Sequence, residues 1–305
     1  MPIRWWLLFA ALVVTRALQG APLTITAPAN DSLITTARIT VQGTAEATSR
    51  NIAVLVNDVA ANLDLEHAGT SADPFRWSVE LQPASGRVKL TARIIDAKNS
   101  GGPTAIRHVE FAPDEHAVLM TPFPAAGVVP ASTHVTIRPH LDDEITRVQV
   151  DYESDGIFDE DASGYADTFD HEFTTPGIRT ISARITFADG TVRTSATTFT
   201  AASFATVNAL LQSTWRGFGD ALQKRDIDGA LEFVAESKHE KYRSPLTLIR
   251  PALPQYAADT RRILPVEIRG DTAHYLLPRV QGVETHGYHV YFARGSNGLW
   301  KIVQF

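Results

Sequence analysis

Hydrophobic and polar positions alternate with period two over most of the chain. Ile39 and Val41 alternate with Arg38, Thr40 and Gln42, and Ile52, Val54 and Val56 recur in the same way. So do Trp77, Val79 and Leu81, and the cleanest run is Val88, Leu90, Ala92 and Ile94. Successive strand residues point to opposite faces, so this pattern predicts strands with one buried face. Asn30-Asp31, Asn57-Asp58, Ser85-Gly86 and Asn99-Ser100-Gly101-Gly102 punctuate the runs as turns. Residues 22–112 are therefore expected to form an antiparallel β-sandwich with Trp77 in its core. The same grammar returns in Val135 and Ile137, in Val148, Val150 and Tyr152, and in Ile181, Ala183, Ile185 and Phe187. It predicts a second antiparallel sandwich over 113–200.

Beyond residue 201 the period changes. Phe204, Val207, Leu210, Leu211, Phe218 and Leu222 recur at steps of three and four, the stripe of an amphipathic helix. Asp226 or Asp228 can cap a second helix carrying Ala230, Leu231 and Val234, and a third is expected within Pro245–Asp259. Strands are expected over Ile263–Arg269, Thr272–Val280, Glu284–Arg294 and Leu299–Phe305, with tight turns at Gly270-Asp271 and Gly295–Gly298. Helices followed by an antiparallel meander predict an α+β domain over 201–305, its helices packed on one face of a curved sheet.

The N-terminus stands apart. Arg4 precedes an uninterrupted apolar run from Trp5 to Val14, Arg16 ends it, and Ala17, Gly20 and Ala21 are small. A run this short cannot span a bilayer, which takes about 20 residues, so residues 1–21 read as a cleavable secretory signal. That places the mature protein in the periplasm or outside a bacterial cell, without stable membrane insertion. The chain of 305 residues has no cysteine, which excludes disulfides, thiol nucleophiles, Cys-ligated metal and a lipidated cysteine anchor.

Charge divides the chain as the pattern does. Residues 22–112 carry 8 Lys and Arg against 9 Asp and Glu, residues 113–200 carry 5 against 15, and residues 201–305 carry 13 against 10. The overall net charge of −6 thus hides a strongly acidic middle, and no basic surface invites nucleic acid as a partner.

The sharpest local signal lies in that middle. Asp151, Glu153 and Asp155 alternate before Gly156, with Asp159 and Asp161 following. Calcium takes six to eight oxygen ligands, and alternate carboxylates of a tight loop can converge on one ion. Ala162 stands where an EF-hand carries its bidentate glutamate, so the loop reads either as an acidic solvated turn or as an irregular calcium site. Asp142-Asp143-Glu144 and Asp170-His171-Glu172 add carboxylates nearby. In the third segment His274, His286 and His289 lie on strands, with no carboxylate at a spacing that makes an acid–base pair. No phosphate-binding glycine loop and no Gly-x-Ser-x-Gly elbow occurs.

Three resemblances follow. Ala27-Pro28-Ala29-Asn30-Asp31-Ser32, Val56-Asn57, Phe75-Arg76-Trp77 and Ala92–Asp96 resemble a bacterial immunoglobulin-like domain. The acidic turn within Val148–Glu160, Pro176-Gly177 and Ala188-Asp189-Gly190 resemble a polycystic-kidney-disease (PKD) domain. Ala221–Leu231 and Asn297-Gly298-Leu299-Trp300-Lys301-Ile302 resemble the nuclear-transport-factor-like (cystatin-like, SnoaL-like) superfamily. These resemblances imply a non-enzymatic envelope protein for binding, adhesion or assembly, with sandwiches as spacers and a protein or glycan as partner. Similar segments accompany some large exported YD-repeat proteins, which implies a companion role. The alternative is a small-molecule-binding or enzymatic cone in the C-terminal domain, carried on the two sandwiches.

Overall fold

The computed structural model describes residues 23–97, 101–139 and 144–305. The expected signal over 1–21, Asn99-Ser100 and Asp142-Asp143 lie outside the described residues. The first sandwich comprises β1 (Leu23–Ala27), β2 (Ser32–Ile34), β3 (Ile39–Ala45), β4 (Ile52–Val56), β5 (Val59–Ala60), β6 (Asn62–Asp64), β7 (Phe75–Leu81), β8 (Gly86–Asp96) and β9 (Gly101–Phe111). Its sheets run β1-β3-β7-β6 and β2-β9-β8-β4-β5. Ile39, Val41, Val54, Phe75, Trp77 and Leu90 fill the space between them. Asn57 and Asp58 take φ of 48° and 66°, the left-handed pair that a two-residue hairpin between β4 and β5 requires. Gly43 lies opposite Trp77, and a Cβ there would come within 2.2 Å of the indole and 2.0 Å of the Thr24 carbonyl oxygen. The absence of a side chain at 43 is what lets the largest core residue lie flat.

The second sandwich repeats the plan with β10 (Val118–Phe123), β11 (Ala126–Val128), β12 (Ala131–Pro139), β13 (Ile145–Asp151), β14 (Glu160–Ser163), β15 (Thr168–Phe173), β16 (Gly177–Phe187) and β17 (Val192–Ala202). Its sheets run β10-β12-β15 and β11-β17-β16-β13-β14, around Met120, Val135, Val148, Tyr152, Phe173 and Phe199. The pattern predicted antiparallel sandwiches, and each departs from that at one edge: β2 pairs in parallel with β9, and β11 in parallel with β17. In both, a proline (Pro28, Pro124) follows the first strand. Proline has no N–H to continue the ladder, so the chain leaves one sheet there and lines the edge of the other.

The third domain opens with α1 (Phe204–Gln223), α2 (Ile227–Leu231), α3 (His239–Leu248) and α4 (Leu253–Asp259), and closes with β18 (Leu264–Arg269), β19 (Thr272–Gln281), β20 (Glu284–Arg294) and β21 (Trp300–Gln304) in sequence order across one sheet. Ser203 caps α1 by accepting from Thr206 N at 3.2 Å, and Asp226 caps α2 by accepting from Gly229 N at 2.9 Å. The helix expected within 245–259 is instead two. Pro245 sits inside α3, and the chain breaks at a 3-10 turn, Arg250–Ala252, where Pro251 and Pro254 open the following turns. Among the described residues no helix is long and apolar enough to cross a membrane.

The three domains do not follow one another as separate beads. Every residue of β4 is buried, on both faces of the strand. Ile52, Val54 and Val56 face the sandwich core, while Ala53 and Leu55 join Ile95 and Leu299 in a separate apolar cluster that ties the first domain to the last. Around that cluster Asn51 donates to the Trp300 carbonyl at 3.0 Å and accepts from Trp300 N at 3.1 Å. Arg294 donates to Ala61 O at 3.1 Å, Asn62 Oδ1 at 3.3 Å and Gly298 O at 3.2 Å. Lys301 donates to Ala97 O at 2.7 Å and to Glu232 O. Between the sandwiches, Glu80 accepts from Thr198 N at 3.0 Å and from the Thr197 hydroxyl. Glu66 of the first domain accepts from Ser203 N at 2.7 Å and Thr206 Oγ1 at 3.0 Å, adding a negative charge at the positive end of α1.

Candidate functional site

The acidic loop of the middle domain comes first, because it carried the expected metal ligands. Asp151 ends β13 and is buried; its carboxylate accepts from Gly156 N at 2.8 Å and Asp155 N at 3.3 Å. Asp155 accepts from Ile157 N, and Asp159 from Tyr152 N, both at 2.8 Å. Asp161 lies on β14 and is held by Arg147 Nε at 2.8 Å and Gln149 Nε2 at 3.2 Å. The Arg147 guanidinium keeps its carboxyl below the usual aspartate range. Glu153 is exposed. The carboxylates therefore turn toward separate backbone and side-chain donors and brace the loop. As arranged, they do not fit calcium, and among the described residues no three His, Asp or Glu side chains stand where they could share a metal ion.

The C-terminal cone is the second candidate. Tyr275, Leu277, Val290, Phe292 and Ile302 cover the inner face of the sheet and meet Leu211, Trp215, Phe218 and Leu222 of α1. The polar atoms in this core are paired: Tyr275 donates to Asn208 Oδ1 at 2.8 Å, and Trp215 Nε1 to Thr260 O at 2.8 Å. Burial pushes the Tyr275 phenol up and keeps it protonated. A cavity of about 20 Å³ beside Trp215, Phe218 and Ala257 has room for one water at most. At the meeting point of all three domains, Leu63, Val128, Ala202, Leu210 and Trp300 line a cavity of about 60 Å³. Ligand pockets usually measure about 300–1,000 Å³. A wider, open groove of about 390 Å³ runs between the sandwiches past Pro83, Phe111, Pro113, Leu119 and the exposed Arg138.

The histidines face outward. Cross-strand partners share a face, so Glu267 of β18, His274 of β19 and Tyr291 of β20 stand side by side on the outer surface, with His289 one step along β20. His274 Nε2 and His289 Nδ1 are 2.8 Å apart, and the Tyr291 ring stacks on His274 at 4.7 Å. His286 lies further out on the β19–β20 hairpin, 3.5 Å from Glu284. Glu267 is the carboxylate in register with His274 on this face, and none of the cavities described above is lined by the pair.

The residues that hold the domains together stood out in the sequence only as a turn, a strand and a family resemblance, not as a contact between domains. Gly298, with φ of 82°, brings the chain so close to the first sandwich that a Cβ would lie 3.0 Å from Ala53 Cβ. Leu299 fills the shared cluster, and Trp300 and Lys301 supply hydrogen bonds. The ending read as a family signature is thus the joint itself. Two signals pointed to it: the unbroken apolar run Ile52–Val56, and consecutive apolar residues at 299 and 300. A strand apolar on both faces has to be covered on both.

No protein-family profile and no curated protein matches the chain. Among solved structures, it is similar to the fibronectin(III)-like modules of Clostridium thermocellum CbhA, at 14% identity over 60% of this chain and 95% of that one, with a TM-score of 0.23. It is similar to dimeric latent PorU from Porphyromonas gingivalis at 10% identity over 61% of this chain, with a TM-score of 0.30, and the match spans only 20% of PorU. It is also similar to the D00-D0 domain of intimin, at 12% identity over 58% of this chain and 99% of that one, with a TM-score of 0.21.

Proposed function

We propose that the protein is an exported, non-enzymatic binding or adhesion protein of a bacterial envelope. In this reading an immunoglobulin-like sandwich, a PKD-like sandwich and a nuclear-transport-factor-like domain form one body that presents the outer face of its C-terminal sheet. The observation that carries it is the closed cone: Tyr275, Phe292, Trp215 and Phe218 fill the space where a substrate would enter, and His274 and His289 point away from it. That closure also argues against a small-molecule or enzymatic cone. Export rests on the apolar run Trp5–Val14 and its flanking arginines. The partner is a protein or glycan of the envelope, and a large exported YD-repeat protein is the specific companion to try first.

The test is saturable binding of the labelled chain to isolated cell envelopes, to a glycan panel and to a YD-repeat protein. Binding that unlabelled chain displaces is the expected result. Absence of saturable binding to all three refutes the reading, and so does turnover of any substrate that His274→Ala or His289→Ala abolishes.

A further inference from the structure

We propose that the groove between the two sandwiches binds a small monocarboxylic acid with an apolar body, its carboxylate held by Arg138. Of the cavities described above, this one alone, at about 390 Å³, reaches the size of a ligand pocket, and it lies between domains, where such pockets are common. The first sandwich lines it with Pro83, from the turn between β7 and β8, and with the buried Phe111 at the end of β9. Pro113 comes from the connection to β10, and the second sandwich adds Leu119 and Arg138. The fixed φ of the prolines keeps these walls from folding into the space. The groove is remote from the C-terminal sheet, so the site stands apart from the envelope-binding reading.

One side chain selects the class of ligand. Leu119 and Arg138 are cross-strand partners on β10 and β12. Their neighbours Val118, Met120 and Ile137 belong to the second core, so Leu119 and Arg138 face out of that sandwich. Arg138 is exposed and has no hydrogen-bond or ion-pair partner among the described residues. Other charges nearby are paired: Asp114 lies 3.7 Å from Arg193, Glu115 3.7 Å from His116, and Arg38 3.2 Å from Glu80. Gln82 and Ser85, which also line the groove, are neutral. The groove thus offers apolar walls and one unpaired positive charge. A carboxylate meets that charge, because a guanidinium can donate two parallel N–H bonds to its two oxygens. The hydrocarbon of the acid meanwhile displaces water from Pro83, Phe111, Pro113 and Leu119. A neutral apolar ligand leaves Arg138 unused, and a dicarboxylate brings a second charge to walls with no partner for it.

The test is isothermal titration calorimetry of the purified chain with hexanoate, octanoate and decanoate, all below their micellar concentrations, and with octanol. One acid per chain is expected, with Kd falling by up to about fourfold for each added methylene that enters the groove. Octanol should bind at least about tenfold more weakly than octanoate, the loss of a charge-assisted hydrogen bond. Arg138→Gln should weaken octanoate by about the same factor and leave octanol alone. Ala84→Glu, which adds a negative charge at an exposed position of the groove, should also weaken octanoate. Arg184→Gln, an exposed arginine on β16 in the other sheet of the same sandwich, should change nothing. All three positions are exposed, and circular dichroism checks that each variant folds. Absence of saturable binding of any of the three acids overturns the proposal. Octanoate binding that Arg138→Gln leaves unchanged does so too, as does octanol binding as tight as that of octanoate.

Discussion

Replacing Leu299 with alanine should loosen the joint between the first and last domains. The side chain is fully buried among Ala53, Leu55 and Ile95. Losing the carbons beyond Cβ forfeits about 2.4 kcal/mol, at about 0.8 kcal/mol per buried methylene. A cavity of roughly 80 Å³ left open adds about 2 kcal/mol, at about 24 cal/mol per Å³. The expected loss is therefore about 2.4 kcal/mol if the domains close over the space and about 4.4 kcal/mol if they cannot. The assay is urea unfolding of the chain from Pro22, followed by tryptophan fluorescence and far-ultraviolet circular dichroism. Trp77 reports the first sandwich, Trp215 and Trp300 report the third domain, and the middle one has no tryptophan. The native chain should give coincident transitions. Leu299→Ala should lower the midpoint and pull the two probes apart. A loss below about 1 kcal/mol, or native transitions that already differ, would refute the idea that this cluster makes the domains cooperative.

Other outcomes follow from the same contacts. Gly43→Ala should destabilise the first sandwich by about 3 kcal/mol or more in thermal denaturation, because the new Cβ meets backbone as well as the Trp77 ring. Acid should weaken the fold through Asp73, Asp114, Asp161 and Asp189. The main causes are backbone N–H donation from Ala68, His116 and Thr191 to Asp73, Asp114 and Asp189, and the Arg147 side chain at Asp161, which hold these carboxyls below the ordinary 3.8. A folded value below the unfolded one gives stability that is complete above about pH 4 and lost as pH falls through the folded values, so the melting temperature should drop below that point and not above it. Millimolar calcium should leave the melting temperature where EGTA leaves it. A ligand at 100 times its Kd would add about 2.7 kcal/mol, so a rise that Asp155→Ala removes would show that the loop rearranges around the ion.

Period-two alternation made most strands legible because each sandwich has one wet face and one dry face, and Val88–Ile94 and Ile181–Phe187 obey that rule. The steps of three and four from Phe204 to Leu222 did the same for α1. Register at the sheet edges was not legible. The parallel seats of β2 and β11 depend on which sheet the chain meets after Pro28 and Pro124, a choice made by distant β9 and β17. Spacing marked the acidic loop as a feature and left its chemistry open between an ion and a solvated turn. Whether Asp151 faces an ion or the amides of its own turn is decided by a few ångströms of backbone path, which spacing does not encode. Alternation put His289 and Tyr291 on one face, opposite Val290 and Phe292, and left open which of the two faces the helices. Their closeness to His274 needed the β19–β20 register.

The joint at Leu299 also decides how the molecule carries load. β1 belongs to the first sandwich and β21 to the domain docked on that same sandwich. Tension between β1 and β21 therefore runs through that apolar cluster and the hydrogen bonds that Asn51, Arg294, Lys301 and Glu66 make across the joint, bypassing the middle sandwich. Three domains in series would lengthen under tension one after another. This arrangement behaves as a closed truss, stiff until its short tie lets go and only then able to pay out the length of the central domain.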